Sequence, residues 1–79
     1  MHYAVPIRRH RVQSRAVRSI GYDAANWVLQ IEFEGGKAYN YFRVPPDEYA
    51  KLMNADSIGS YVNREIAPYY EYEEASADA

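Results

Sequence analysis

The chain lacks cysteine altogether, which excludes disulfide bonds and thiolate metal sites. It also lacks any apolar run near the roughly 20 residues that a membrane-spanning helix needs. Its N-terminus has no apolar stretch of the kind found in secretory signals. We therefore expect a cytoplasmic protein that does not span a membrane.

Residues arranged for catalysis are missing as well. The two histidines, His2 and His10, both lie close to the N-terminus and have no other metal-ligating residues around them. No serine is accompanied by a credible general base. Glu32 and Glu34 lie on one strand face beside Lys37 and are typical of solubilising residues. The sequence thus predicts no catalytic residue, no metal, no cofactor and no small-molecule substrate.

A length of 79 residues fits one domain with a thin hydrophobic core. Small folds without disulfides or metals often gain stability by association, so we expect a homodimer. Nine tyrosines raise the aromatic content to 15%. Because tyrosine combines a flat apolar face with a polar tip, this composition is typical of interfaces.

Charge is segregated between the two ends of the chain. Residues 1–22 contain five arginines and no acid, whereas residues 69–79 contain four acids and no base. Opposite charges at the two ends are typical of interaction segments. We therefore divide the chain into a flexible basic N-terminal arm (1–13), a folded domain (14–68) and an acidic, tyrosine-rich tail (69–79).

The folded domain begins with a pattern of strands. Residues 16–22 form a first apolar segment. In residues 27–33 every second side chain (Trp27, Leu29, Ile31, Phe33) is apolar, with Val28, Gln30 and Glu32 between them, which predicts a strand with one apolar face. Gly35-Gly36 then predicts a hairpin turn, and residues 38–44 return as a third strand. The fold class is therefore α+β, with a three-stranded antiparallel β-meander.

Two hairpin registers are open. A two-residue loop at Gly35-Gly36 would pair Ile31 with Asn40 and place Tyr39 and Tyr41 on the face opposite Ile31. A bulge at either glycine would shift the pairing by one residue and bring both tyrosines to the face of Ile31.

Two short α-helices are predicted to follow the strands. Pro46 and the acids after it suit a first helical turn. A second helix begins after Asp56 or Ser57, either of which can cap it, and ends at Pro68.

Several short motifs occur in order between Val12 and Tyr70. They are Ser19-Ile20-Gly21-Tyr22-Asp23, Phe33 with Gly36, Tyr39-Asn40-Tyr41, Val44-Pro45, Tyr49, Leu52 and Ala55-Asp56-Ser57-Ile58-Gly59-Ser60-Tyr61. Together they resemble the KTSC domain, a short bacterial domain named for its occurrence at the C-terminus of some lysyl-tRNA synthetases. The resemblance implies a strand meander followed by helices and no established activity, and the attachment to a tRNA synthetase suggests RNA contact.

The arginine-rich arm is the strongest indication of function. Guanidinium groups neutralise phosphates and release counterions, which gives salt-sensitive binding with little sequence preference. We therefore predict a non-enzymatic protein that binds DNA or RNA. The candidate phosphate contacts are Arg8, Arg9, Arg11, Arg15 and Arg18.

Four tyrosines are candidates for a second kind of contact. Tyr39 and Tyr41 on a strand can stack on unpaired bases, but aromatic residues of this kind more often stabilise sheets or interfaces. Tyr69 and Tyr70 begin the acidic tail. The alternative function is a protein–protein interaction module that uses this tyrosine-rich surface and the tail.

Overall fold

Five strands, hydrogen-bonded in chain order, make one antiparallel sheet in the computed structural model, which describes residues 6–75. Each strand pairs with the next in sequence; the first three connections are short, and the fourth, residues 42–71, contains the helices. The strands are β1 (Arg9–Arg11), β2 (Val17–Asp23), β3 (Val28–Phe33), β4 (Ala38–Tyr41) and β5 (Tyr72–Glu74).

Two helices complete the α+β fold that the sequence predicts. Helix α1 (Pro46–Met53) begins with proline and two acids, as expected. Helix α2 (Ile58–Tyr61) continues into a π-helical segment, Val62–Ile66. Its N-cap is Ser57, whose hydroxyl oxygen accepts a hydrogen bond from the backbone N–H of Ser60 at 3.2 Å.

The hydrophobic core lies between the helices and one face of the sheet. Ile20, Leu29 and Ile31 share that face, and they are fully buried together with Leu52 and Ile66 from the helical segment. Burying large aliphatic side chains of this kind stabilises the fold by about 1.5–3 kcal/mol each. The opposite face carries polar residues from every central strand.

The β3–β4 hairpin has the shifted register. Ile31 pairs with Tyr39 and Leu29 pairs with Tyr41, so both tyrosines lie on the core face. Gly35 and Gly36 have φ angles of 102° and 96°, which residues with a Cβ rarely adopt. The extra turn residue permitted by the glycines is the reason for the shift.

The predicted count of three strands was wrong by two. Strand β1 comes from the segment interpreted as a flexible arm, and β5 comes from the segment interpreted as a tail. Gly21 shows how closely the N-terminal segment packs, because a Cβ added there would lie 2.5 Å from the carbonyl oxygen of Arg8. A glycine at this position therefore lets residues 7–11 lie against β2.

Candidate nucleic-acid interface

Alternation along β1 divides the N-terminal arginines between two surfaces. Side chains of a strand point in turn to opposite faces of the sheet. Arg9 and Arg11 lie opposite Gly21 and Ser19 on the polar face, whereas His10 lies opposite Ile20 on the helix-covered face. The arginines therefore do not form one continuous arm.

The polar face carries an open groove beside β1. Three of the five predicted arginines line it, so the fold does bring these three together. The groove is bordered by Arg9, Arg11, Arg18, Ser19, Glu32 and Glu34.

Arg9 is held in place by a chain of hydrogen bonds across the sheet. Its Nε donates to Oγ of Ser19 at 3.0 Å, and its Nη1 donates to Oε1 of Gln30. The Gln30 amide nitrogen donates in turn to Oδ1 of Asn40 at 2.8 Å. Ser19, Gln30 and Asn40 are all buried. Within residues 6–75 the groups that Arg9 contacts are neutral, so they orient its positive charge without cancelling it.

Arg18, unlike Arg9, lies beside two acidic side chains. A bulge between Val17 and Ser19 interrupts the pairing of β2 with β3 at this residue. The Arg18 guanidinium lies 3.6 Å from a Glu32 carboxylate oxygen and 3.5 Å from one of Glu34. Both acids are therefore close enough to offset the charge of Arg18 within the groove.

The remaining three arginines, Arg8, Arg11 and Arg15, are exposed. Between residues 6 and 75, the ion pairs involve Arg18 and Arg43 and none of these three. An exposed guanidinium that is not in an ion pair keeps its charge and its donors available for a ligand.

A second concavity lies on the helix side of β1. It has a volume of about 370 Å³, and Arg8 and His10 line it together with Tyr22 and Tyr49. The two tyrosine rings stack with their centroids 4.5 Å apart and their planes within 7°. The Tyr22 hydroxyl donates to the carbonyl oxygen of Val44 at 2.6 Å, which fixes the orientation of the stack.

Tyr39 and Tyr41 belong to an aromatic cluster on the core face. Tyr41 is only 5% exposed, so little of its ring is accessible to a base. Tyr39 is half-buried and packs edge-on against Phe33 at 5.9 Å and Tyr72 at 5.7 Å between ring centroids. Tyr72, from β5, is 60% exposed and forms the open side of the cluster.

Tyr69 and Tyr70 have different environments although they are adjacent. Tyr69 is 73% exposed. Tyr70 packs against the core and donates its hydroxyl to Oε1 of Glu48 at 3.0 Å, while Tyr61 donates to Oε2 of the same carboxylate. Hydrogen bonding to Glu48 raises the pKa of Tyr61 to about 12. Burial, followed by the bond to Glu48, raises the pKa of Tyr70 to about 12.

Sequence reasoning missed the hydrogen bonds of Tyr61 and Tyr70 to Glu48. It also missed the series of hydrogen bonds that runs from Arg9 to Asn40. Glu48 was interpreted only as a favourable residue in a first helical turn. Ser19, Gln30 and Asn40 occupy neighbouring strands, and only the register shows that they meet. The available signal was a hydroxyl or amide residue within each of the three predicted strands.

Within residues 6–75, no group of three or more histidine, aspartate or glutamate side chains is placed to hold a metal ion. None of the helices in the same range is long and apolar enough to cross a membrane.

The chain is similar to known proteins along most of its length. The KTSC domain model matches residues 13–70. An uncharacterised protein of Stutzerimonas stutzeri is 39% identical over 67 residues, which are 84% of this chain and 94% of that protein. The crystal structure of a KTSC domain protein from Yersinia pestis matches with a TM-score of 0.83 and 32% identity, and it covers 90% of this chain and all of that one.

Part of a much larger enzyme is also similar. The lysine–tRNA ligase of Nostoc punctiforme is 33% identical over 64 residues, which are 81% of this chain but only 11% of the ligase. The similarity is therefore confined to one small region of that protein.

Proposed function

The chain belongs to the KTSC domain family, and we propose that it is a non-enzymatic nucleic-acid-binding protein whose arginines contact the phosphate backbone. The binding surface includes both sides of β1. We place the protein in the cytoplasm and propose that it associates as a homodimer, so that two such surfaces act together and raise the affinity through effective concentration.

The observation that carries this proposal is that Arg8, Arg11 and Arg15 are exposed and form no ion pair within residues 6–75. Arg8 directly precedes β1, Arg11 lies on it, and Arg15 lies in the connection from β1 to β2. Phosphate contacts supply most of the affinity of sequence-independent binding. Three exposed guanidinium groups outside ion pairs, on and beside β1, therefore fit a polyanion better than a neutral ligand.

Arg9 adds an oriented fourth charge to this surface. Its bonds to Ser19 and Gln30 restrict the guanidinium group and leave its charge uncompensated by these neutral partners. Because less side-chain entropy is lost when an oriented group binds, Arg9 strengthens contact with a phosphate that enters the groove. Arg18 contributes less, since Glu32 and Glu34 already offset its charge.

The tRNA ligase relatives support RNA as the ligand. A region similar to this chain occurs within a lysine–tRNA ligase, whose name describes an enzyme that acts on tRNA. The argument is one of analogy between proteins that share a domain. It makes single-stranded RNA and tRNA the first ligands to test beside duplex DNA.

The decisive experiment titrates the protein into labelled single-stranded RNA, tRNA and duplex DNA at low and near-physiological salt. A triple variant, Arg8→Ala, Arg11→Ala and Arg15→Ala, removes the three uncompensated cations. The matched control, Lys37→Ala, Lys51→Ala and Arg64→Ala, removes three exposed cations from the hairpin turn and the helices.

We expect wild-type binding to weaken steeply with salt, and the arginine variant to lose it while the control retains it. Each lost phosphate contact lowers the slope of log K against log salt by about 0.7–0.9. If both triple variants lost the same affinity, net charge alone would explain the loss. That result would contradict a defined binding surface. No binding to any of the three ligands at low salt would end the proposal.

A protein-interaction module remains the second candidate because of one observation. Tyr69 and Tyr72 are both largely exposed, and they border a shallow depression with Pro68 and Glu71. Exposed tyrosines are enriched at protein interfaces. If capture of a partner protein is lost on changing Tyr69 and Tyr72 to alanine but survives the arginine triple variant, this second function is the correct one.

A further inference from the structure

The concavity on the helix side of β1 combines two kinds of binding group. Arg8 and His10 contribute nitrogen donors to its lining, and Tyr22 and Tyr49 contribute aromatic rings. Its volume of about 370 Å³ lies at the lower end of the range of about 300–1,000 Å³ that small-molecule pockets occupy. The concavity therefore has the size of a site for one small ligand or for one unit of a polymer.

The tyrosine pair, Tyr22 with Tyr49, is held rigidly before any ligand arrives. The two rings are half-buried and pack against the hydrophobic core, one from β2 and the other from α1. The Tyr22 hydroxyl is fixed by its hydrogen bond to the Val44 carbonyl. Because both rings are already ordered, little side-chain entropy is lost when a flat ligand packs against them. The pair thus favours an aromatic ligand.

Arg8 provides an anion-binding group at the same concavity. Its side chain is exposed and forms no ion pair within residues 6–75. The planar guanidinium group matches the oxygens of a phosphate with two parallel hydrogen bonds. Asp23 also lines the concavity, but both of its carboxylate oxygens accept hydrogen bonds from Ala25 and Asn26 in the β2–β3 turn. These donors reduce the repulsion between that carboxylate and an anion.

A ligand that suits both groups has a flat unsaturated ring joined to a phosphate, which is the chemistry of a nucleotide. Tyrosine rings stack on bases in proteins that bind single strands. A base inside a duplex is stacked on both faces and paired along its edge, so it does not enter a concavity. An unpaired base can be splayed out and inserted. The site therefore selects for an unpaired nucleotide.

The position of the concavity connects it to the proposed phosphate contacts. Arg8 and His10 line the concavity on one side of β1. Arg9 and Arg11 line the groove on the other side. Among residues 6–75, β1 is an outer strand of the sheet. A nucleic-acid strand that crosses this edge can contact Arg11 through one phosphate and place a neighbouring base in the concavity.

We infer that the concavity binds one unpaired nucleotide of a single-stranded nucleic acid, with its base on the tyrosine pair and its phosphate at Arg8. The inference rests on the proposed nucleic-acid binding and deepens it, because it names a single strand as the preferred form of the ligand. The base-stacking role that the sequence suggested for Tyr39 and Tyr41 is thereby assigned to a different pair of tyrosines.

Three variants test the stacking contact. Tyr49→Leu removes the ring and keeps an apolar side chain against the core, whereas Tyr49→Phe keeps the ring. Tyr69→Leu is the matched control, since it removes a ring that is 73% exposed and does not line the concavity. Circular dichroism establishes that each variant folds.

Each protein is titrated at low salt into a labelled single-stranded RNA and into the same RNA annealed to its complement. We expect Tyr49→Leu to weaken binding to the single strand about 5- to 150-fold, the range found when one base loses its aromatic partner. Binding to the duplex should be unchanged. Tyr49→Phe and Tyr69→Leu should retain the affinity of wild type for both forms.

Nuclear magnetic resonance of labelled wild-type protein locates the site without any substitution in the core. Adenosine monophosphate and adenosine are the probes, at concentrations up to about 10 mM, which detect millimolar affinities. We expect shift changes at residues 6–10, residues 22–24 and Tyr49, and tighter binding of the monophosphate than of the nucleoside. Arg8→Gln should abolish that difference, because the phosphate then loses its guanidinium partner.

The outcomes separate this inference from the proposed function. If both RNA forms bind but Tyr49→Leu affects them equally or not at all, the inference is wrong and the phosphate-contact proposal stands. Shift changes elsewhere in the chain would overturn the inference as well. Adenosine monophosphate in the concavity without a selective loss for single-stranded RNA would also overturn it and indicate a site for free nucleotides. If wild type binds neither RNA form, the proposed function and the inference fail together.

Discussion

The Tyr70 hydroxyl donates a hydrogen bond to the Glu48 carboxylate at 3.0 Å, although the two residues are 22 positions apart. Tyr61 donates to the other oxygen of that carboxylate. Glu48 therefore joins the first turn of α1 to the helical segment after it and to the chain that leads into β5. The placement of the acidic edge strand depends on this junction.

Removing the Tyr70 hydroxyl should loosen the junction. We expect Tyr70→Phe to lower the free energy of unfolding by about 1 kcal/mol, because a hydrogen bond to a charged group is lost while the ring remains packed. Tyr69→Phe is the matched control, since Tyr69 is 73% exposed, and it should change stability by less than about 0.5 kcal/mol. Urea denaturation monitored by circular dichroism measures both, and equal effects would exclude a structural role for the Glu48 bond.

The same junction predicts how stability depends on pH. The pKa values of Tyr61 and Tyr70 are raised to about 12 in the folded chain, above the value near 10 expected when it unfolds. The folded state therefore retains these two protons longer. Their stabilising contribution is complete below about pH 10 and is lost as the pH rises towards 12.

Phenolate absorbance of the native protein checks this pH dependence. We expect two of the nine tyrosines to titrate near pH 12, and Glu48→Gln to lower the pKa of both. An unchanged high-pH titration in Glu48→Gln would contradict the assignment, because the carboxylate would then not be holding the two protons.

Gly21 should be intolerant of a side chain. A Cβ there would lie 2.5 Å from the Arg8 carbonyl oxygen and 2.6 Å from a methyl group of Ile7. We expect Gly21→Ala to cost about 1–3 kcal/mol and to speed amide exchange in β1, since overpacking forces the backbone to move. Gly59→Ala is the control, because its Cβ would meet the nearest atom, the Cβ of Ala16, at 3.4 Å. A Gly21→Ala protein as stable as Gly59→Ala would show that residues 7 and 8 are not held against β2.

The buried amide pair on the polar face should behave as a unit. Asn40→Leu leaves the Gln30 amide nitrogen without its acceptor, and we expect a loss of about 1–3 kcal/mol. Gln30→Leu should cost a similar amount because Arg9 also loses an acceptor. In the double variant the losses should be less than additive, with a coupling of about 1 kcal/mol from a double-mutant cycle. Strict additivity would mean that the two amides do not interact.

Glu34, which borders the groove beside β1, should lower the affinity for nucleic acid. Glu34 lies 3.5 Å from the Arg18 guanidinium, and its carboxylate both offsets that charge and repels phosphate. We expect Glu34→Gln to tighten binding about twofold, the amount that an exposed ion pair supplies. Glu65→Gln, on the helical segment, removes the same charge at a distance and should leave the affinity unchanged. Weaker binding in Glu34→Gln would contradict the placement of the ligand in this groove.

Much of the fold was predictable because its signals are local. The alternation of residues 27–33 follows from the two-residue period of a half-buried strand, and Gly35-Gly36 supplies the backbone angles that a turn requires. Pro46 and the acids after it match the first turn of a helix. The motif order likewise pointed to the KTSC family, which the match over residues 13–70 confirms.

The edge strands were not predictable from local pattern. Three residues such as Arg9–Arg11 have no period of their own, and they become a strand only because β2 offers a row of unpaired backbone groups. Strand β5 forms for the same reason beside β4, and the Glu48–Tyr70 bond brings its segment within reach.

The sequence by itself determined the composition of the candidate site: five arginines near one end and acids at the other. Only the tertiary structure decided their roles. Strand alternation separated Arg9 and Arg11 from His10, and the β2 bulge placed Arg18 between two glutamates. The physical reason is that a charge's availability depends on its neighbours in space, and those neighbours come from strands whose register no single segment encodes.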